Sequence, residues 1–391
     1  MQDKHLILIT SDFKITSAQG LRYALLYSNK FTVENNINLV YSSNSDKLDG
    51  WDTYTVRQIK FPLTYTVINR ILRRIIYPDV YIFRLEQYKK KLRLIFSNNA
   101  FENVIIGCTP FSLLLLGKWI KTNYPSLLLI ADMSDPFSFN MGNRGENNRI
   151  RIARYIERKA FPHFDKIIVL NEQIQNMYQQ LYPEIVDKFQ VVEQGVDEAF
   201  INRVNELNGS NRDITPFTFL YAGGFYKKGR NPFNLYKAFE LSELDCKLQI
   251  YGNIRKINRP KNSSKIEYHK AVDKMKLADI TAKANALILL DNDYGYQVPG
   301  KTIETLASGK PILFIYKNNN SPTLKYIKDA SGVVWVKNSI PEIREGIYKI
   351  IKGEYEQPYF DYSQYTWKQM NIKLKSIIDK KRNNGYSVAS S

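Results

Sequence analysis

An alternation, run through twice, constrains this chain more than any single motif. Short β-branched runs are separated by longer stretches with helical spacing, the pattern of parallel sheets covered by helices. In the first half, strands are expected at 5–10, 38–41, 104–106, 127–131, 166–170 and 189–192, with helices over 18–28, 112–123, 149–160 and 172–181. The pattern breaks over 202–215, where Asn208-Gly209-Ser210-Asn211 is polar and turn-rich, the texture of a linker. It then restarts. Strands are expected at 217–222, 247–251, 265–268, 286–290, 311–315 and 332–336, with helices over 231–241, 272–282, 302–308 and 341–351. The 391 residues suit two domains, each able to bury a core. The expected fold class is therefore α/β: two doubly wound, Rossmann-like domains facing across a cleft. The first is expected over 1–200 and the second over 215–362. A closing segment over 363–391, a helix and a polar tail, is expected to cross back to the first domain.

Composition narrows the compartment and the partners. Hydrophobic residues make up 44% of the chain, so it is globular and not disordered. Cys108 and Cys246 are too few for a disulfide framework or a cysteine-built zinc site. A reducing, cytoplasmic setting is expected. Residues 1–4 lead straight into a strand-like run, without a signal-peptide pattern. The apolar runs at 111–116 and 126–131 are far shorter than a membrane span. The net charge is +18, from 56 basic against 38 acidic residues. Such charge attracts phosphorylated ligands, anionic membrane surfaces or nucleic acid, and a lysine-rich soluble background accounts for it equally well. Nucleic acid is not an expected partner, because no helix-turn-helix signature, zinc spacing or RNA-recognition consensus is found.

Open α/β sheets bind ligands outside the carboxyl ends of their strands. Two such places carry chemistry. The run 217–222 opens into Gly223-Gly224-Phe225-Tyr226-Lys227-Lys228-Gly229-Arg230, ahead of a helix. Glycines admit a ligand close to the backbone, and the helix start offers free N–H groups and partial positive charge. With Lys228 and Arg230 these residues compose a diphosphate cradle. The spacing matches neither common phosphate-loop pattern, and a glycine turn with solvated lysines explains the same residues. The run 286–290 opens into 291–297 and then Val298-Pro299-Gly300-Lys301-Thr302-Ile303-Glu304. Pro299 suits a helix start and Gly300 exposes backbone N–H groups. Glu304, one turn in, has the acceptors for two vicinal hydroxyls; a glutamate that only complements the helix dipole would look the same.

Four segments in register carry a family resemblance: LIADMSDPF at 129–137, VVEQGVDEAF at 191–200, LYAGGFYKKGRNP at 220–232 and VPGKTIETLASGKPIL at 298–313. Together they resemble the retaining, family-4-type glycosyltransferases of the GT-B fold, over nearly the whole chain. The resemblance implies a nucleotide-diphosphate-sugar as substrate, with no cofactor and no essential metal. It implies that Glu304 binds the ribose hydroxyls and that Lys228, with Arg230, neutralises the diphosphate as it leaves. It lets the phosphates lie on the loop at Gly223 and Gly224, and brings Gly300, Lys301 and Thr302 to the sugar-phosphate side. Three positions depart from the family. The first of its two glutamates seven residues apart falls on Tyr296. The basic residue that often follows the phosphate-loop glycine is Phe225. A histidine or arginine frequent in the N-terminal cleft is Ser134.

On the acceptor side, Asp132 and Asp135 follow the strand expected at 127–131 and are candidates to orient or deprotonate an acceptor hydroxyl; loop-capping aspartates read the same way. Gly20, at the start of the first helix, permits close approach of donor or acceptor, as does any tight turn. His269, at a strand end, is a candidate contact for the nucleotide base or a plain surface histidine. Over 62–77, Arg70, Arg73 and Arg74 flank an apolar helical face. That suits an anionic membrane surface, and a helix packed on its sheet has the same pattern. The expected function is sugar transfer from a nucleotide-diphosphate-sugar to a glycan or lipid-linked glycan, retaining and metal-independent, in surface polysaccharide biosynthesis at the inner face of the membrane. A sugar-nucleotide 2-epimerase and a non-catalytic GT-B-like partner subunit are the alternatives.

Overall fold

The computed structural model describes residues 5–10, 18–27, 37–42, 52–56, 76–98, 101–140, 147–208, 215–225, 229–252, 254, 263–293 and 295–385. Contacts divide the chain into two units, Met1–Glu193 with Lys368–Ser391, and Gln194–Trp367.

The first unit is a seven-stranded sheet: β1 His5–Ile9, β2 Ile37–Ser42, β3 Asp52–Val56, β4 Phe101–Gly107, β5 Leu128–Met133, β6 Lys166–Val169 and β7 Phe189–Val191. Its order is β3-β2-β1-β4-β5-β6-β7, and every ladder is parallel. β4 and β5 read as near-continuous apolar runs because helices cover both faces of such a sheet. Every residue of β5 is buried, as are Val104, Ile105 and Ile106 of β4. The helix Leu85–Asn98 turns Tyr88, Leu92 and Ile95 inward at helical spacing. The helix Glu172–Leu181 starts where the Asn171 side chain accepts the Ile174 N–H.

The second unit is a six-stranded parallel sheet: β8 Phe217–Ala222, β9 Cys246–Tyr251, β10 Ile266–His269, β11 Ala286–Leu290, β12 Ile312–Tyr316 and β13 Val333–Lys337. Its order is β10-β9-β8-β11-β12-β13, the order of nucleotide-binding sheets, with the direction of winding reversing between β8 and β11. Side chains alternate between two cores. Leu220, Leu287, Leu289, Ile312 and Phe314 enter one, and Phe219, Tyr221, Ile288, Leu290, Leu313 and Ile315 the other.

Several expectations shift. β3, the helix Leu85–Asn98 and the helix Thr323–Lys328 were not signalled by the periodicity. Asp132 lies inside β5 and not beyond it. Residues 202–207 are not linker but the end of the helix Glu198–Leu207. Phe200, Ile201 and Val204 bury one face of that helix, and Arg203 Nε donates to Asp279 Oδ1 at 2.8 Å. The basic segment with Arg70, Arg73 and Arg74 lies outside the described residues. Among the described residues, no helix is long and apolar enough to cross a membrane.

Candidate functional site

The carboxyl edge of the second sheet is tied together at its switch point. Gly223 follows β8, and its N–H donates to the Tyr251 carbonyl at 3.0 Å. Gly252 follows β9 so closely that a Cβ there would fall 2.1 Å from the Gly223 carbonyl oxygen. No side chain at position 252 fits against that backbone, so Gly252 is a steric requirement of this edge, whereas a Cβ at Gly223 would first meet the Tyr221 side chain, its hydroxyl at 2.9 Å. Gly224 is held by the Tyr221 hydroxyl, which donates to its carbonyl at 2.9 Å. Phe225 is buried and stacks on Tyr221 at 4.5 Å, so the departure from a basic residue becomes an anchor for the loop. Lys228 lies outside the described residues. The loop returns at Gly229, whose φ of 123° favours glycine, and the Gly229 carbonyl accepts the Asp293 N–H at 2.7 Å. Arg230 Nη2 donates to Asn292 Oδ1 at 2.7 Å. The β8 loop is thereby joined to the loop that follows β11.

After β11, Asp291 is buried and accepts a 2.8 Å hydrogen bond from the Thr323 hydroxyl. Burial pushes its carboxyl from 3.8 up to about 6; the Ser321 and Thr323 hydroxyls and the Arg230 charge pull the other way. Asn292 Nδ2 donates to the Gln297 carbonyl at 2.9 Å and shapes the turn that carries half-buried Tyr296. Thr302 uses both its N–H and its hydroxyl on the Pro299 carbonyl, at 2.9 and 2.8 Å, and this closes the turn ahead of the helix Thr302–Leu306. Gly300 and Lys301 are exposed in that turn. Among the described residues, a Cβ at Gly300 would meet no atom within 4 Å.

Glu304 stands in the first turn of that helix. Its Oε1 is 2.6 Å from Lys274 Nζ, and Lys274 Nζ is also 3.1 Å from Asp197 Oδ2. Neither Lys274 nor Asp197 was singled out from the sequence. His269 ends β10 and stacks on Tyr251 at 4.5 Å, presenting a flat double ring at the same edge.

In the first unit, Asp132 is fully buried. Arg22 Nε lies 3.3 Å from its Oδ2, and the Tyr27 hydroxyl donates to the same oxygen at 2.7 Å. Arg22 also donates to the carbonyls of Glu193 at 2.8 Å and Val192 at 3.2 Å. Burial and the Asp132 charge push the Tyr27 hydroxyl well up from its ordinary range. The Asp132 carboxylate is thus occupied from inside the fold. Asp135 is half-buried on the loop after β5. Fully buried Glu157 pins that loop, accepting the Ser138 N–H and the Tyr178 and Tyr182 hydroxyls at 2.8, 2.9 and 2.7 Å. Gly20 is buried within the helix Ala18–Leu26, and Ser134 is buried beside Asp135.

Two parallel, doubly wound units of this order define the GT-B fold. Among solved structures, sucrose-phosphate synthase from Thermosynechococcus elongatus matches with a TM-score of 0.70, over 97% of this chain and 100% of its own, at 11% identity. Anabaena HepE, solved with UDP and glucose, matches at 0.65 over 96% and 100%, at 9% identity. The lipopolysaccharide outer core galactosyltransferase WaaB matches at 0.62 over 96% and 99%, at 12% identity. At these identities the likeness is one of fold. No family model and no curated protein matches the chain.

Proposed function

We propose that this protein transfers a sugar from a nucleotide-diphosphate-sugar to a glycan or lipid-linked glycan, with retention and without an essential metal. The donor belongs to the C-terminal domain (215–362) and the acceptor to the N-terminal domain (1–200). The reading is carried by one observation: the Gly223–Gly224 loop, Arg230 and the turn bearing Gly300, Lys301, Thr302 and Glu304 all fall at the carboxyl edge of one 3-2-1-4-5-6 sheet, where β8 and β11 meet. In this reading the loop backbone and the Lys228 and Arg230 charges take the diphosphate, stabilising it as it leaves. Glu304 takes the ribose hydroxyls, and His269 on Tyr251 offers a stacking surface to the base. Asp135 is the better acceptor-side candidate, because Asp132 is committed to Arg22 and Tyr27.

An anionic membrane surface, at the inner face of the membrane, is a fitting place for this work. The exposed half of the helix Asn147–Ala160 carries Arg151, Arg154, Arg158 and Lys159 beside exposed Ile152 and Tyr155. Its one carboxylate, Glu157, faces inward. Basic residues mixed with exposed apolar ones suit a lipid interface better than a purely aqueous one. The test of the whole reading is a panel of UDP-, GDP- and ADP-sugars, read by ligand-observed NMR and thermal shift. Binding of one nucleoside class, followed by transfer to glycan acceptors, is expected. Binding of none sinks the reading. Release of free nucleoside diphosphate with an epimerised sugar and no transfer favours a 2-epimerase, a use of the same fold in a protein from Listeria monocytogenes described as a putative UDP-N-acetylglucosamine 2-epimerase, matched at a TM-score of 0.55 and 13% identity.

A further inference from the structure

Lys274 is the first residue of the helix Lys274–Lys283. A cation there is electrostatically misplaced for its own helix, whose N-terminus already carries partial positive charge. What it pairs with explains the placement. Its ammonium sits 2.6 Å from Glu304 Oε1 and 3.1 Å from Asp197 Oδ2, and 5.7 Å from the centre of the Phe200 ring. The side chains of Lys274, Asp197 and Glu304 are 26%, 24% and 15% exposed, so solvent screens them only in part. Asp197 is itself anchored, since its Oδ1 accepts the Ala199 N–H and caps the helix Glu198–Leu207. One ammonium therefore ties together the starts of three helices, and the last of them bears Glu304.

We propose that Lys274, held by Asp197, is a positioning residue for the nucleotide donor. The inference rests on the reading of Glu304 as the ribose ligand and says how that ligand is prepared. A free glutamate side chain must lose rotamer freedom to receive a diol, and Lys274 has already taken that cost by fixing Oε1. The second oxygen, Oε2, retains its acceptor sites for ribose hydroxyls. When hydroxyls draw on Glu304, Asp197 keeps the ammonium in place.

The experiment measures, by calorimetry on the full chain, the affinities of UDP, GDP and ADP, each against its 2′,3′-dideoxy form. For the diphosphate that binds, the ribose form is expected to bind at least about tenfold tighter. Glu304→Ala brings that ratio to about one. Lys274→Met lowers it at least about fivefold and leaves the dideoxy affinity within about twofold, and Lys274→Arg restores most of the ratio. An unchanged ratio in Lys274→Met, while Glu304→Ala abolishes it, overturns the proposal and leaves Glu304 as the ribose ligand. Equal weakening of both ligands makes Lys274 a fold residue only and also overturns it. A ratio near one in the unaltered protein removes the ribose assignment and the proposal together. Should Lys274→Met not fold, Asp197→Asn carries the test: loss of the second anchor is expected to lower the ratio, and no change overturns the proposal.

Discussion

Arg22 is 1% exposed and directs its guanidinium at a carboxylate and two backbone carbonyls. Removing its counter-charge leaves a buried cation with only the two carbonyls as partners, a change that costs about 3–5 kcal/mol. Asp132→Ala is therefore expected to lower the unfolding free energy by about that amount, read by urea denaturation; a change below about 1 kcal/mol would mean that the pair is not desolvated as placed. Asp291 gives a pH-dependent counterpart. Its folded carboxyl is raised from 3.8 to about 6, so the unfolded chain ionises first as pH rises. The folded state has no such penalty below about pH 4, loses stability between about pH 4 and 6, and then carries a constant cost on the order of 2–3 kcal/mol. Against Asp291→Asn, the wild-type melting temperature should fall behind progressively across that window and not outside it. Glu304→Ala should lower turnover at least about tenfold with an unaltered circular-dichroism spectrum. Turnover at the parental rate would take Glu304 out of the donor site.

At the scale of elements, the carboxyl edge of the second sheet is built by backbone more than by side chains. Gly252→Ala drives a Cβ into the Gly223 carbonyl, and backbone yields less readily than a side-chain tip. Destabilisation of about 1–3 kcal/mol and weaker nucleoside-diphosphate binding are expected together. Gly300→Ala is the contrast, since its Cβ meets no atom of the described residues within 4 Å. Its melting temperature should match the parent, and any loss of binding reports contact with the ligand alone. Elements with strong local signatures were readable: β8 and β11 lie where the apolar runs put them, and the helix Glu172–Leu181 follows its capping asparagine. β3, with the sequence DTYTV, is short and half polar, and it pairs at the edge of its sheet, where one neighbour and little apolar burial suffice. The helix Glu198–Leu207 was masked by its polar face, although Phe200, Ile201 and Val204 carried its inward spacing.

For the molecule as a whole, a part of the charge of +18 stands on the exposed face of the helix Asn147–Ala160, as Arg151, Arg154, Arg158 and Lys159. Replacing Arg151, Arg154 and Arg158 by glutamine should weaken sedimentation with phosphatidylglycerol vesicles by about 1 kcal/mol per charge and leave binding to phosphatidylcholine vesicles unaltered. Equal binding to anionic vesicles would return that face to ordinary solvation. The GT-B fold itself was legible from two rounds of strand–helix alternation and four motifs in register, and it agrees with solved structures sharing as little as 9% identity. Such agreement is expected when strand order and burial pattern, not particular residues, specify a fold.

From the sequence alone came the layering, every strand but β3, most helices, and the glycine and glutamate segments at the strand ends. Those follow from periodicity and turn chemistry, which are written in neighbouring residues. Which charges meet was decided only in three dimensions. Lys274 reaches Glu304 across 30 positions and Arg22 reaches Asp132 across 110. Such partners are set by the order in which parallel strands assemble, and that order has no local signature to read.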